Sequence, residues 1–227
     1  MLRAIVFDFD GVIANSEPLH FSALKDVLAG EGLTLREPDY YARYLGYDDL
    51  GAFAAISADF GVSWTEAEVA ALMRRKAARL ERLERDRSVL FPGAGAAIRR
   101  LAAHCCLAIA SGALRAEIVR VLAREDLARY FPVVVAAEDA AAGKPAPDPY
   151  LRAVALLAET TGAPLAPSDC VAVEDSRWGL ESARAAGLRT VGVTHTYRAE
   201  ELPADLVVDD LNALTWEFLS KMHAEGP

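Results

Sequence analysis

The sequence predicts an α/β protein: a Rossmann-like parallel sheet core with helices on both faces and an inserted α-helical cap domain. Three observations predict it. Five short apolar runs, at 4–7, 107–110, 133–136, 171–173 and 190–193, have the unbroken hydrophobicity of strands buried on both faces. Helical patterns at 94–103, 116–124, 149–158 and 179–186 separate the later runs, which is the rhythm of βαβ units. The interval from Ser16 to Ser88 breaks that rhythm, holding helical patterns and no convincing strand. The boundaries that follow are residues 1–15 and 89–227 for the core and 16–88 for the cap.

The first strand runs through Ile5-Val6-Phe7 into Asp8-Phe9-Asp10-Gly11, so two carboxylates stand where the chain must turn. Alternation points positions i and i+2 to the same side, which places Asp8 and Asp10 in one small volume. Like charges that close need a cation or a shared proton. Acidic turn residues at an ordinary strand end are the plainer reading. In the cap, helices are expected at 19–28, 39–45, 49–60 and 66–86, with Thr65 as the cap of the last and Glu66 and Glu68 in its first turn. Arg and Lys cluster between Arg74 and Arg87, alternating with Glu81, Glu84 and Asp86, as on a solvated helix face laced with ion pairs.

Three later motifs also fall at element ends. The second strand closes on Ser111-Gly112, whose hydroxyl and backbone N–H groups suit an anion, although a helix-capping serine would look the same. Gly143-Lys144-Pro145-Ala146-Pro147-Asp148 holds a lysine on a stiff turn that cannot be helical until after Asp148. Such a lysine supplies a positioned ammonium for phosphate or carboxylate, or is simply a surface lysine. The strand Val171-Ala172-Val173 ends on Glu174-Asp175-Ser176, acids that fit a hard oxygen cage for Mg²⁺ as well as an acidic helix cap at Asp175. A strand is also expected at 206–208 and a final helix at 213–221.

Composition excludes several classes. The net charge of −9 argues against a general nucleic-acid binder, and 53% apolar residues argue against disorder. No signal peptide is expected, because the apolar run at 5–7 is too short. No apolar stretch reaches the roughly 18 residues that span a bilayer. The three cysteines, Cys105, Cys106 and Cys170, match neither a zinc site nor a disulfide framework, and read as buried reduced thiols of a cytoplasmic protein.

The four motifs in this order resemble the haloacid dehalogenase-like superfamily, in the capped branch of sugar phosphatases and β-phosphoglucomutases. The stretch from Asp8 to His20 and Lys144-Pro-Ala-Pro-Asp148 carry the resemblance most closely. It implies a Mg²⁺-dependent phosphomonoester hydrolase acting on a small phosphate ester, as a monomer or weak homodimer with no nucleic-acid or membrane partner. Asp8 would be the nucleophile and Asp10 the general acid and base. Asp8, the backbone carbonyl of Asp10, Glu174 and Asp175 would hold the metal, and Ser111, Gly112 and Lys144 the phosphoryl group. His20 and Lys76 would serve from the cap. The sequence departs from the mutase at Gly46-Tyr47-Asp48-Asp49, where two acids replace an arginine expected to grip a second phosphate. Arg43 is the substitute one turn earlier, and hydrolysis is the expected activity ahead of mutase activity.

Overall fold

The computed structural model describes residues 1–45, 47–85 and 88–225. Gly46, Asp86 and Arg87, used in the sequence reading, lie outside the described residues. The chain divides into two compact units, Met1–Asn15 with Leu90–Pro227, and Ser16–Val89.

The first unit is built on six parallel strands. They are β1 (Ala4–Phe7), β2 (Cys106–Ala110), β3 (Val133–Val135), β4 (Cys170–Glu174), β5 (Arg189–Val193) and β6 (Leu206–Val208), in the order β3-β2-β1-β4-β5-β6. The first strand therefore lies mid-sheet, with β2 and β4 on either side, and all four of its residues are buried. Helices α5 (Ala94–Ala102), α6 (Arg115–Arg124), α7 (Asp148–Thr161), α8 (Arg177–Ala185) and α9 (Trp216–Ala224) accompany the strands. Each expected element is present, with ends displaced by up to three residues.

Strand alternation sorts the core into two faces. On one, Ala4, Val6, Ala108, Ala110, Val133, Val135 and Ala172 pack against Tyr150, Ala153, Val154 and Leu157 of α7 and Ala183 of α8. Small alanines on the central strands leave room for the bulk of α7. On the other face Phe7 meets Phe131 edge-on, with ring centroids 6.1 Å apart. Between β1 and α5 the chain exits and returns beside itself: Ala14 pairs antiparallel with Leu90, and the Phe91 N–H donates to the Ile13 carbonyl at 3.0 Å.

The second unit comprises α1 (Glu17–Ala29), α2 (Glu37–Arg43), α3 (Asp49–Phe60) and α4 (Glu66–Glu84). Leu24, Val27, Leu28, Leu35, Tyr40, Tyr44, Phe53, Ile56 and Leu72 form its own hydrophobic core. Thr65 caps α4 as expected, in a reciprocal capping box with Glu68. The basic run on α4 is in large part the solvated face that charge alternation predicts: Arg74, Arg75, Arg82 and Arg85 are exposed, and Arg85 pairs with Glu81 along the helix. Arg75 pairs with Glu31 in the turn after α1 and Arg79 with Asp26 of α1, whereas Lys76 departs from the pattern and is buried. Cys170 is buried as expected, whereas Cys105 and Cys106 are half-buried, because they stand where the chain enters β2. Among the described residues no helix is long and apolar enough to cross a membrane.

Leu157 is fully buried on the face that also holds Tyr150. Replacing it by alanine should lower the unfolding free energy by about 2–5 kcal/mol, measurable by urea denaturation followed by circular dichroism.

Candidate active site

The site forms at the carboxyl edge of the sheet, where ligands of open α/β folds bind. Register decides its composition. Phe7 stands opposite Val173, and the Asp8 N–H donates to the Val173 carbonyl at 2.9 Å. Asp8 is thus held by the ladder at the level where β4 delivers Glu174 and Asp175. All three acids are buried, and one carboxylate oxygen from each lies within 4.8 Å of the others.

Lys144 enters this group from the turn before α7. Its Nζ donates to Asp8 Oδ1 and to Glu174 Oε1, both at 2.6 Å. The Tyr150 hydroxyl, one turn into α7, donates to the same Glu174 oxygen at 2.8 Å. Glu174 Oε2 accepts from the Asp175 N–H and the Ser176 hydroxyl, both at 3.2 Å. A Cβ on Gly179 would stand 1.8 Å from Glu174 Oε1, so the carboxylate lies against α8 only because that residue is glycine. Gly11 is required twice over: its φ is +78°, and a Cβ there would stand 1.9 Å from Asp175 Oδ2.

Burial pushes Asp8 up to about 6, against the pull of Lys144 and with the repulsion of Glu174 added. Asp175 is held well above the usual carboxylate range by burial, then by Glu174 and Asp8. Burial alone would lower Lys144, but Asp8 and Glu174 outweigh it and keep the ammonium above its ordinary range. Three carboxylates against one ammonium leave an excess of negative charge when all are ionised. A hard divalent cation with oxygen ligands fits that donor set.

The other expected residues are placed as follows. Asp10 lies in the turn beyond β1, half-buried and bridged to Ala14. The strand ends at Phe7, so Asp8 and Asp10 follow it, and Gly11 turns the chain after them. Ser111 is buried at the end of β2, its Oγ accepting from the Ala113 N–H at 3.1 Å, and Gly112 is exposed. Ser111 does not cap α6, whose N-cap is Leu114. Nor does Asp175 cap α8; Ser176 does, accepting from the Gly179 N–H at 3.1 Å.

In the helical unit, Lys76 Nζ is bonded to Asp49 Oδ1 and lies 3.1 Å from His20 Nδ1. Asp48 caps α3, accepting from the Gly51 N–H at 2.7 Å, and Arg43 is paired with Asp59 at 2.5 Å. Glu17 accepts from the Tyr40 hydroxyl, and burial raises its pKa.

Sequence reasoning missed Tyr150, Thr196 and His195. An aromatic residue two positions past the rigid Lys144–Asp148 turn is a signal for the first. The other two follow β5, whose end carries no acidic residue.

A buried carboxylate beside a lysine, with two further acids at the next strand end, makes an acid-rich site at the carboxyl edge of a parallel sheet. The model of the haloacid dehalogenase-like hydrolases matches residues 2–187. The chain belongs to that family and is an enzyme of this hydrolase class. Protein CbbY of Rhodobacter capsulatus is 33% identical over 97% of this chain and 99% of its own length. Beta-phosphoglucomutase of Bacillus subtilis is 30% identical over 96% and 94%. Among solved structures, a CbbY variant from Rhodobacter sphaeroides in complex with xylulose-1,5-bisphosphate superposes with a TM-score of 0.82, at 26% identity, covering 94% of this chain and 96% of the other.

The folded chain holds the Asp8 proton to higher pH than the unfolded chain does. That contribution to stability is present below about pH 4 and is lost as pH rises through about 6. In metal-free protein, Asp8→Asn should therefore gain in melting temperature relative to wild type from about pH 4 to about pH 7. A difference that stays constant across that range would contradict the assignment. Gly179→Ala should destabilise the protein by about 1–3 kcal/mol through displacement of Glu174, read in a thermal melt.

Proposed function

We propose that the chain is a Mg²⁺-dependent phosphomonoester hydrolase acting on a small phosphorylated sugar through an aspartyl-phosphate on Asp8. The observation that carries this reading is Lys144, bonded at 2.6 Å to both Asp8 and Glu174. One ammonium holds the nucleophile's carboxylate and balances part of the charge around it. It is also placed to meet a phosphoryl oxygen beside Asp8.

In the first step an Asp8 oxygen attacks phosphorus, the bond to the ester oxygen breaks, and Asp10 gives its proton to the departing alcohol. In the second, Asp10 takes a proton from water as that water attacks the phosphorus of the aspartyl-phosphate. Inorganic phosphate leaves and the Asp8 carboxylate is restored. Ser111 and the Gly112 N–H bind phosphoryl oxygens at the end of β2. Mg²⁺ would be held by Asp8, the Asp10 carbonyl, Asp175 and Glu174, and supplies neutralisation of charge on the transferring group.

The sugar-phosphate class is supported by the relatives, a phosphoglucomutase and a protein with a bound sugar bisphosphate. The helical unit argues for a substrate with a single phosphate. Lys76 is matched by Asp49 and Arg43 by Asp59, so a second phosphate would compete with pairs already made. The second reading, phosphosugar mutase activity, is favoured by the placement of Lys76 Nζ 3.1 Å from His20 Nδ1.

Purified protein with Mg²⁺ should release phosphate from sugar monophosphates, and Asp8→Asn should reduce the rate to background. Asp10→Asn should slow turnover about 10²- to 10⁴-fold. No release across a panel of sugar phosphates, phosphoglycolate and nucleotides would overturn the proposal. Conversion of β-glucose 1-phosphate to glucose 6-phosphate with a bisphosphate primer would favour the mutase.

A further inference from the structure

The loop that follows β5 carries two adjacent side chains with no role in the chemistry above, and both reach into the acid cluster's frame. His195 Nδ1 lies 2.9 Å from the Gly11 carbonyl oxygen. A carbonyl only accepts, so Nδ1 carries the proton and the ring donates. The ring is stacked on Phe91, with centroids 3.8 Å apart and planes 15° apart, which fixes its direction. The next residue, Thr196, donates its hydroxyl to Asp175 Oδ2. That oxygen occupies the place where a Gly11 Cβ would be, 1.9 Å from the ideal Cβ position. The loop thus holds both sides of one close contact, the Gly11 backbone through His195 and the Asp175 carboxylate through Thr196.

The loop is itself anchored to the sheet. The Thr194 N–H donates to the Val208 carbonyl at 3.0 Å, at the ends of β5 and β6. His195 and Thr196 therefore start from a fixed point at the carboxyl edge. Asp175 is not the cap of α8, so its direction is not set by the helix it precedes.

We propose that His195 and Thr196 are positioning residues that clamp the turn after β1 to Asp175 and thereby hold Asp8 and Asp175 at the separation a divalent cation requires. The proposal rests on the metal-dependent reading given under the proposed function. Its physical basis is preorganisation: a carboxylate fixed by a hydrogen bond on one oxygen loses less freedom when it meets a cation. Side chains that orient metal-binding acids typically change affinity by about 10- to 100-fold when removed.

The test is Mg²⁺ binding by titration calorimetry, together with the Mg²⁺ concentration for half-maximal phosphate release. Thr196→Val keeps the shape of the side chain and removes the donor. It should weaken Mg²⁺ binding by about 10- to 100-fold and raise the half-saturating Mg²⁺ concentration in parallel. Thr196→Ser, which restores the hydroxyl, should recover most of both. His195→Phe keeps a ring to stack on Phe91 but cannot donate to Gly11, and should shift both readouts in the same direction. A merely structural role would lower the melting temperature in chelator while leaving Mg²⁺ affinity unchanged, and that result would overturn the proposal. Should Thr196→Val fail to fold, the comparison of Thr196→Ser with Thr196→Ala decides: equal Mg²⁺ affinity in those two variants also overturns it. Wild-type protein that hydrolyses and binds Mg²⁺ while the variants match it removes the clamp alone. Wild-type protein that neither binds Mg²⁺ nor hydrolyses removes the clamp and the metal-dependent reading together.

Discussion

Burial of three carboxylates around a single ammonium is the interaction on which the rest of this structure depends. In a partly desolvated site, charges this close interact far more strongly than they would in water. The raised pKa of Asp8 is the direct result of burial, moderated by Lys144, which donates to Asp8 and Glu174 at equal distances. Asp175 is likewise raised by burial, and then by the Glu174 and Asp8 carboxylates beside it. The imbalance can be relieved by protons or by a divalent cation, and only the second leaves Asp8 ionised, as the nucleophilic role proposed for it requires. The electrostatics that cost the metal-free protein stability are therefore the same electrostatics that suit it to bind a metal.

Such a cluster needs a frame that will not relax away from it. The frame here is the central strand and its two neighbours, with Ala4 to Phe7 fully enclosed and Asp8 still tied to the ladder through its N–H. Glu174 is the last residue of β4, and Asp8 and Asp175 are the first beyond their strands, so their positions carry little of the freedom of a loop. Two glycines then allow the approach. Gly179 lets Glu174 lie against the start of α8, and Gly11 lets Asp175 lie against the turn after β1. At both places a methyl group would occupy the space of a carboxylate oxygen.

Much of this was legible in the sequence, for reasons that differ by residue. The strands were readable because a parallel sheet covered on both faces needs unbroken apolar runs. The acids were readable because each follows such a run directly. Asp10 was placed by extending strand alternation past Phe7, where the strand itself ends. Ser176 displaced Asp175 as the helix cap because both residue types are good caps and only geometry separates them. Tyr150 was hidden inside an ordinary helical pattern, where an aromatic residue reads as core. His195 and Thr196 left no trace, since His195 meets Gly11 more than 180 residues earlier in the chain and Thr196 meets Asp175 at the end of another strand.

Lys76 is the sharpest case of a pattern that misleads. It sits in a run of alternating charges that reads as solvated surface, yet its side chain is buried against Asp49 and beside His20. The same electrostatic rule applies as in the acid cluster: the Lys76 ammonium is bonded to Asp49, and the Glu17 carboxylate is near enough to interact with both. Asp49 stands where the mutase-like pattern calls for an arginine. A bisphosphate would have to draw Lys76 or Arg43 out of an existing ion pair, and would meet the Asp49 or Asp59 carboxylate left behind. A sugar with a single phosphate avoids both costs, because hydroxyl groups can accept from a lysine or donate to a carboxylate without breaking the pair. Charge matching within the helical unit is therefore the ground on which we propose hydrolysis of a monophosphate ahead of transfer through a bisphosphate.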